Sequence, residues 1–376
     1  MGLPQPRGME VETTKVQLNS SKFPPLPRRQ GYFLLGRLNF TADFLKGLPY
    51  NLNHGFFSST EVYRMKVKSI HTLGLIFSIF MIILVACSDQ QNPINPTPAP
   101  MVFTDGLGRT VILPEPARRV VSLAPSISES LFAIGAGEQL VGRDEFSNYP
   151  AEVSNLPSVG GSFSDYNYEA IVDLNPDLVL AAEINTSEQV KSLEDLGLTV
   201  YLVANPTSLD GMYDSLDTLA RLTGHQAEAS VLIENLKKRV VSIERKLSGN
   251  EQRPSVFYEL DSTDPNAPYT AGPGTFIDTL INMAGGKNVG ATLEDQYGQI
   301  SIEELLVQNP DIILLGDSAY GVTPESVGQR SGWKTLGAVQ NGKVYPFNDD
   351  LVSRPGPRLV DGLEALAAII HPDLLK

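Results

Sequence analysis

The chain has 376 residues, 42% hydrophobic and 19% charged, which excludes a disordered polymer and points to two domains plus extras. Its formal net charge of −14 is uneven: 4 acidic and 10 basic residues precede Cys87 (net +6), and 39 acidic and 19 basic residues run from Cys87 onward (net −20). A folded part this acidic argues against a nucleic-acid partner, and the single cysteine, Cys87, rules out an internal disulfide or a Cys-based metal cluster.

Residues 65–87 read MKVKSIHTLGLIFSIFMIILVAC. Lys66 and Lys68 form a positive start, Leu73 to Val85 an apolar stretch, and Ala86 a small residue directly before Cys87. This is the layout of a secretory signal peptide. Its ending resembles a bacterial lipobox, which implies lipidation of Cys87, cleavage before it, and a lipid anchor without a spanning helix. A plain transmembrane helix is the alternative, but the apolar run is short for a span of about 20 residues. Residues 88–100, SDQQNPINPTPAP, are polar and Pro-rich and read as an extended tether, so 87–100 is taken as lipidated cysteine plus linker. Residues 1–64 show no sustained periodicity. A signal peptide works at the start of a chain, so translation is expected to begin at Met65, with 1–64 a misassigned upstream extension; a real cytoplasmic extension is the alternative.

From Val102 onward short β-branched runs alternate with helical patterns. Arg119 to Leu123, Asp177 to Ala181 and Thr199 to Val203 read as buried strands. Ser126 to Gly137 reads as a helix with Ser126 as N-cap and Glu129 as the capping-box acid. Gly224 to Leu247 reads as one long helix, with Ala227, Val231, Ile233, Leu236, Val240, Ile243 and Leu247 near helical spacing. At ~1.5 Å per residue it reaches roughly 35 Å. The alternation predicts α/β lobes with parallel sheets.

An internal repeat is visible. EAIVDLNPDLVL from Glu169 recurs as EELLVQNPDIIL from Glu303, 134 positions later. Ser126–Gly137 (SISESLFAIGAG) matches Thr275–Gly286 (TFIDTLINMAGG), and Val200-Tyr201 matches Val344-Tyr345. Three pairs in one order predict two similar lobes, 101–223 and 249–376, bridged by a helix at 224–248: two Rossmann-like lobes on one long α-helix.

Enzyme motifs are missing. The chain carries no G-x-S-x-G elbow, no phosphate-binding G-x-x-x-x-G-K-[ST] loop and no H-E-x-x-H. After Cys87 the only histidines are His225 and His371, both read as solvated helix ends. They cannot build a closed zinc site, and no metal site is expected. A non-catalytic protein is expected, with an extracytoplasmic hydrolase the remote alternative.

Six segments carry a resemblance: RVVSLAPSISESLFAIGAGEQLVG, NYP, PSVGGSF, YEAIVDLNPDLVLA, YTAGPGTFIDTLINMAGG and RPGPRLVDGLEALA. Together they resemble the Fe/B12-type periplasmic binding domain over about residues 102–372. The segment 354–364 is most similar to the cobalamin-binding branch. The resemblance implies two α/β lobes on one helix and a ligand in the cleft between them. It also implies delivery to an ABC permease dimer with its ATPase subunits. The expected protein is a monomer on the outer side of the cytoplasmic membrane, held by its lipid, with no cofactor. Its expected ligand is a corrinoid such as cobalamin; a ferric siderophore or haem is the alternative.

A corrinoid is a flat, amphipathic ring edged with amides, and its site should offer aromatic faces and a few polar groups. Phe146, Tyr149, Phe163, Tyr166 and Tyr297 lie in segments expected to face the cleft, with lobe core the alternative for each. The resemblance places aromatic ligand contacts at Phe146, Phe163 and Tyr297; the last two are tryptophan in the enteric B12 receptor. It matches Asp350 and Arg354 to a polar pair on the second lobe. Arg354 and Arg358 as surface or helix-start residues is the competing reading. Trp333 is expected in the core. Without a well-placed histidine, a bound cobalamin should keep its own axial base. Glu169 and Glu303 occupy equivalent positions on the two lobes. In the resembling family such glutamates pair with permease arginines, and the alternative is an acid favoured at a helix N-terminus.

Overall fold

The computed structural model describes residues 99–161 and 165–375. The expected upstream extension, signal peptide, Cys87, most of the tether, and Phe163 lie outside the described residues. The described residues belong to one compact unit.

An antiparallel hairpin of β1 (Met101–Thr104) and β2 (Thr110–Leu113) opens the fold. Its alternation buries Phe103, Val111 and Leu113. The first lobe then lays down β3 (Val120–Ser122), β4 (Leu140–Arg143), β5 (Leu178–Ala182) and β6 (Val200–Val203). They form a sheet ordered β4-β3-β5-β6, parallel throughout. Parallel strands are covered on both faces, which is why these segments read as unbroken apolar runs. Along β5 successive side chains alternate between two clusters: Leu178 and Leu180 join the large interior core, Val179 and Ala181 the outer one.

The second lobe contains β7 (Ser255–Asp261), β8 (Tyr269–Ala271), β9 (Lys287–Asn288), β10 (Tyr297–Gln299), β11 (Ile312–Leu315) and β12 (Val344–Pro346). Its parallel part runs β9-β7-β11-β12, repeating the strand order of the first lobe. The antiparallel strands β8 and β10 extend that sheet beyond β7.

The repeat is therefore structural. Asn175 and Asn309 of the two Asn-Pro-Asp turns both sit in left-handed backbone, at φ 45° and 44°. The aspartate that follows clamps the neighbouring strand in each lobe. Asp177 accepts from the amides of Arg118 and Arg119, each at 2.9 Å. Asp311 accepts from the amide and hydroxyl of Ser255, each at 2.8 Å.

Helix α1 (Pro125–Ala133) departs from expectation. Its N-cap is Ala124, without a side-chain cap bond, and proline occupies the first turn, where its fixed φ suits a helix start. Ser126 lies inside the helix and Glu129 caps nothing. The chain continues through α2 (Tyr168–Asp173), α3 (Ser187–Asp195) and α4 (Leu209–Thr223). Gly224, at φ 85°, ends α4 in left-handed backbone. The expected long helix begins after it, as α5 (Gln226–Leu247, 22 residues), about 33 Å long. It buries Ala229, Leu236, Val240 and Ile243. Ala227 and Val231, both expected on the apolar stripe, are exposed, Val231 to 61%, because α5 is covered on one side only.

The second lobe adds α6 (Phe276–Met283), α7 (Ile302–Gln308), α8 (Pro324–Val327), α9 (Gly337–Gln340), α10 (Asp350–Ser353) and α11 (Leu359–Ile370). Arg239 of α5 bonds Glu364 at 2.6 and 2.9 Å and Asp361 at 2.5 Å, tying the bridging helix to α11. One hydrophobic cluster is continuous from Leu131 and Leu180 through Leu236 and Val240 to Leu280 and Leu363, so the lobes share a core along α5. Trp333 is fully buried, as expected, and its indole N–H donates to the Pro265 carbonyl at 3.0 Å. His371 corrects the reading of solvated helix ends: it is buried, with Nδ1 3.1 Å from Asn250 Nδ2 and Nε2 3.2 Å from the Gly285 carbonyl.

Candidate binding cleft

In open parallel sheets, ligands bind beyond the carboxyl ends of the strands. At that edge of the first lobe, β4 ends in Arg143 and the chain enters the loop 144–150. Asp144 is buried and organises this loop. Its carboxylate accepts from the Phe146 amide at 2.9 Å and from the Ser147 hydroxyl. The Ser147 hydroxyl is 2.8 Å from that of Ser128, which donates to Ser122 at 2.9 Å. Burial pushes the Asp144 carboxyl above the usual aspartate range, against the pull of its Ser147 bond. With its base fixed, the loop presents Phe146 at 40% and Tyr149 at 46% exposure.

The matching edge of the second lobe carries Asp349 and Asp350. Asp349 accepts from the Tyr258 hydroxyl at 2.8 Å. Burial raises its carboxyl above the ordinary value. Tyr258 itself packs edge-on to Phe347, centroids 5.9 Å apart. Tyr297 on β10 is 54% exposed. Its phenol is raised by partial burial and then by the Asp349 charge.

The lobes meet through ions. Arg358, the N-cap residue of α11, sets its guanidinium on Glu129 of α1 with bonds of 2.8 and 2.6 Å. Arg354 reaches the same carboxylate at 2.7 Å, Asn148 at 2.9 Å and Asp350 at 2.9 Å. Arg358 also lies 4.1 Å over the Tyr149 ring. Glu129 is almost wholly buried, and two guanidinium groups face two carboxylates. The formal charges of these four side chains balance.

The structure thus brings Tyr149, Asp350 and Arg354 together, sets Phe146 in the same loop as Tyr149, and leaves Tyr297 exposed on β10. It does not place Tyr166 in the cleft. Tyr166 is buried in the first lobe; its hydroxyl donates to the Leu123 carbonyl at 3.1 Å and accepts from Asn185 at 2.7 Å. The fit needs Gly161, at φ 120°, because a Cβ there would run into the tyrosine ring. Arg358 is a helix-start residue, as the competing reading had it, but is not at the surface. Sequence reasoning missed Glu129 as a cleft residue. Its signal was there: it is the one charge in the nine residues of α1. Nothing local in the sequence marks the serine–aspartate network.

Glu169 and Glu303 are exposed at the second position of the equivalent helices α2 and α7. Neither forms an ion pair among the described residues. No group of three or more His, Cys, Asp or Glu among the described residues is arranged to hold a metal. No described helix is long and apolar enough to cross a membrane.

A duplicated parallel α/β architecture, a single bridging helix and a polar–aromatic cleft define a class. The chain belongs to the periplasmic binding protein family, whose model matches residues 120–351. It is the solute-binding component of an ABC importer, which implies a permease with ATPase subunits and a small-molecule ligand. Among its relatives is the ABC transporter substrate-binding lipoprotein YvrC of Bacillus subtilis, 35% identical over 74% of this chain and 87% of that protein. The cobalamin-binding protein of Halobacterium salinarum is 32% identical over 72% of this chain and 74% of its own. The crystal structure of the vitamin B12-binding protein BtuF of Vibrio cholerae is similar at TM-score 0.58 and 29% identity, covering 68% of this chain and 97% of that one.

Proposed function

We propose that the chain is a lipid-anchored receptor that captures a corrinoid in the cleft and hands it to its importer. The observation that carries this reading is the combination of exposed aromatic faces with matched charge. Phe146, Tyr149 and Tyr297 offer flat apolar area at the cleft edges. The arginines Arg354 and Arg358 are already satisfied by Glu129 and Asp350. Such a cleft suits a large ring edged with neutral amides, whose binding gains chiefly from buried area, about 25 cal/mol per Å². A strongly anionic ferric chelate gains most from unpaired cations, and this cluster supplies none in surplus. The cobalamin-binding relatives support the same choice.

The mechanism follows from the parts. Solute enters between the strand edges, against the loop fixed by Asp144, with Phe163 and Tyr297 in the aromatic roles expected of them. Neither histidine among the described residues serves as a cobalt ligand: His371 is engaged in the second lobe's interior and His225 sits at the start of α5. Cobalamin therefore binds with its own axial base in place. The stiff α5 and the Arg239 network restrict lobe motion to a small amplitude. Glu169 and Glu303 then present one carboxylate per lobe to permease arginines, and Cys87 carries the lipid. A hydrolase reading gains nothing from Ser122, Ser128 and Ser147, which are closed off from solvent.

The test is calorimetric titration of the purified protein with cyanocobalamin, dicyanocobinamide, haemin and a ferric hydroxamate. Binding of corrinoids alone, tighter than about 1 µM (roughly −8 kcal/mol), is the expected result. Heat with haemin or the ferric chelate and none with corrinoids moves the ligand to iron compounds and overturns the corrinoid assignment.

A further inference from the structure

We infer that Glu129 is the residue that sets the charge class of the solute, by supplying from the first lobe the counter-charge to two arginines of the second. This rests on the proposed reading of the cleft and deepens it. Glu129 touches both Arg354 and Arg358, and the Arg358 contact is a two-bond fork at 2.8 and 2.6 Å. Asp350 completes the cluster from the other side, at 2.9 Å from Arg354 and 3.7 Å from Arg358. The geometry is fixed by backbone as well as charge. Gly356, between the two arginines, lies close enough to α1 that an added Cβ would sit 3.4 Å from the Ser126 carbonyl and the Ser130 hydroxyl. The loop 354–358 is therefore seated on the helix that carries Glu129.

The chemistry is that of an occupied anion site. A planar guanidinium fork recognises a carboxylate. Glu129 fills that position from within the protein, and an incoming carboxylate must displace it or bind without a cation. The cluster opens to the cleft through Asp350, which is about one-third exposed, and Tyr149, whose ring lies under Arg358. A solute resting on Tyr149 meets a neutral floor. Without Glu129 the two guanidinium groups keep only Asp350 as a paired carboxylate, beside Asp144 and Asp349, whose carboxyls burial raises above the ordinary value, and an anion becomes the favoured partner of the freed fork. Glu129 is a positioning and selectivity residue; it need not touch the solute.

The experiment uses ligand pairs of one shape and two charges: cyanocobalamin against its monocarboxylic acid, and haemin dimethyl ester against haemin. Wild type should favour the neutral member of whichever pair it binds. Glu129→Gln should shift the affinity ratio toward the acid by about tenfold or more. Glu129→Gln with Arg358→Gln, which is neutral again, should return the ratio to the wild-type value; a purely structural role for Glu129 predicts no such rescue. Arg358→Gln alone should move the ratio the opposite way, and this keeps the idea testable if Glu129→Gln does not fold. Which ring binds reports on the proposed ligand; the charge ratio reports on Glu129. If wild type binds neither ring, the ligand assignment falls, and added citrate should still raise the melting temperature of Glu129→Gln and not of wild type. An unchanged ratio in the folded variants, or no citrate effect where neither ring binds, overturns the inference.

Discussion

Asn175 and Asn309 lie 134 positions apart and hold the same left-handed backbone, φ 45° and 44°, but they do so with different support. The Asn309 side chain accepts from the Gly337 amide at 2.7 Å. Asn175 has no comparable side-chain bond among the described residues. Glycine tolerates this backbone freely and alanine does not. Asn175→Gly should leave stability within about 0.5 kcal/mol of wild type, while Asn309→Gly should lose roughly 1 kcal/mol with its hydrogen bond. Urea unfolding of the two variants reads the difference directly.

Gly161→Ala should be among the most damaging small substitutions in the first lobe. The added methyl meets the Tyr166 ring, and φ 120° is strained for any side chain. A loss of about 2 kcal/mol or more is expected, with the tyrosine displaced from Leu123 and Asn185. Near-ultraviolet circular dichroism and urea unfolding check both parts.

Two carboxyls give stability opposite slopes with pH. Burial raises Asp144 above the ordinary 3.8. Its stabilising share is therefore complete below 3.8 and is lost as pH rises through the raised value. Asp144→Asn should gain on wild type as pH rises from acid to neutral. The hydrogen bond from Arg239 holds Glu364 below its ordinary 4.5. Its share is present above 4.5 and is lost as pH falls through the lowered value. Glu364→Gln should lose on wild type at neutral pH and not in acid, by less than about 1 kcal/mol because the pair is partly exposed. Unfolding curves across the acid range give both signs.

Charge reversal at the two outer glutamates should separate capture from delivery. Glu169→Lys with Glu303→Lys is expected to leave the solute Kd within twofold, roughly 0.4 kcal/mol, because both side chains are exposed on helices outside the cleft. Uptake into vesicles carrying the importer should fall by about tenfold or more if those carboxylates steer docking. A loss of solute affinity in parallel would count against the docking role.

The parts of the fold legible in the sequence are those with local causes. β5 and β11 announce themselves because strands buried on both faces cannot be polar on either. The Asn-Pro-Asp turn repeats because left-handed asparagine and strand-clamping aspartate are short-range chemistry. The long helix shows in its spacing, except where one-sided cover leaves Val231 in solvent. The family's motifs pointed to Phe146, Tyr149 and Tyr297, and the structure leaves all three partly exposed. What stayed hidden depends on distant partners. Glu129 resembles a capping acid until Arg358 is brought beside it, and Tyr166 resembles a cleft tyrosine until Asn185 and Leu123 close over its hydroxyl. His371 resembles a frayed helix end until Asn250 and Gly285 enclose it.

The join between Glu129 and the two arginines spans 225 and 229 positions of chain. By contrast, the first sheet is complete by β6, before the bridging helix begins. A polypeptide threaded across a membrane amino end first can fold that sheet while its second half is still inside. The floor of the cleft has to wait for Arg358 to emerge. The proposed floor is thus the last part of the molecule to assemble, and a chain stalled or trimmed short of that arginine has its first sheet but lacks both that floor and the second lobe's share of the common core.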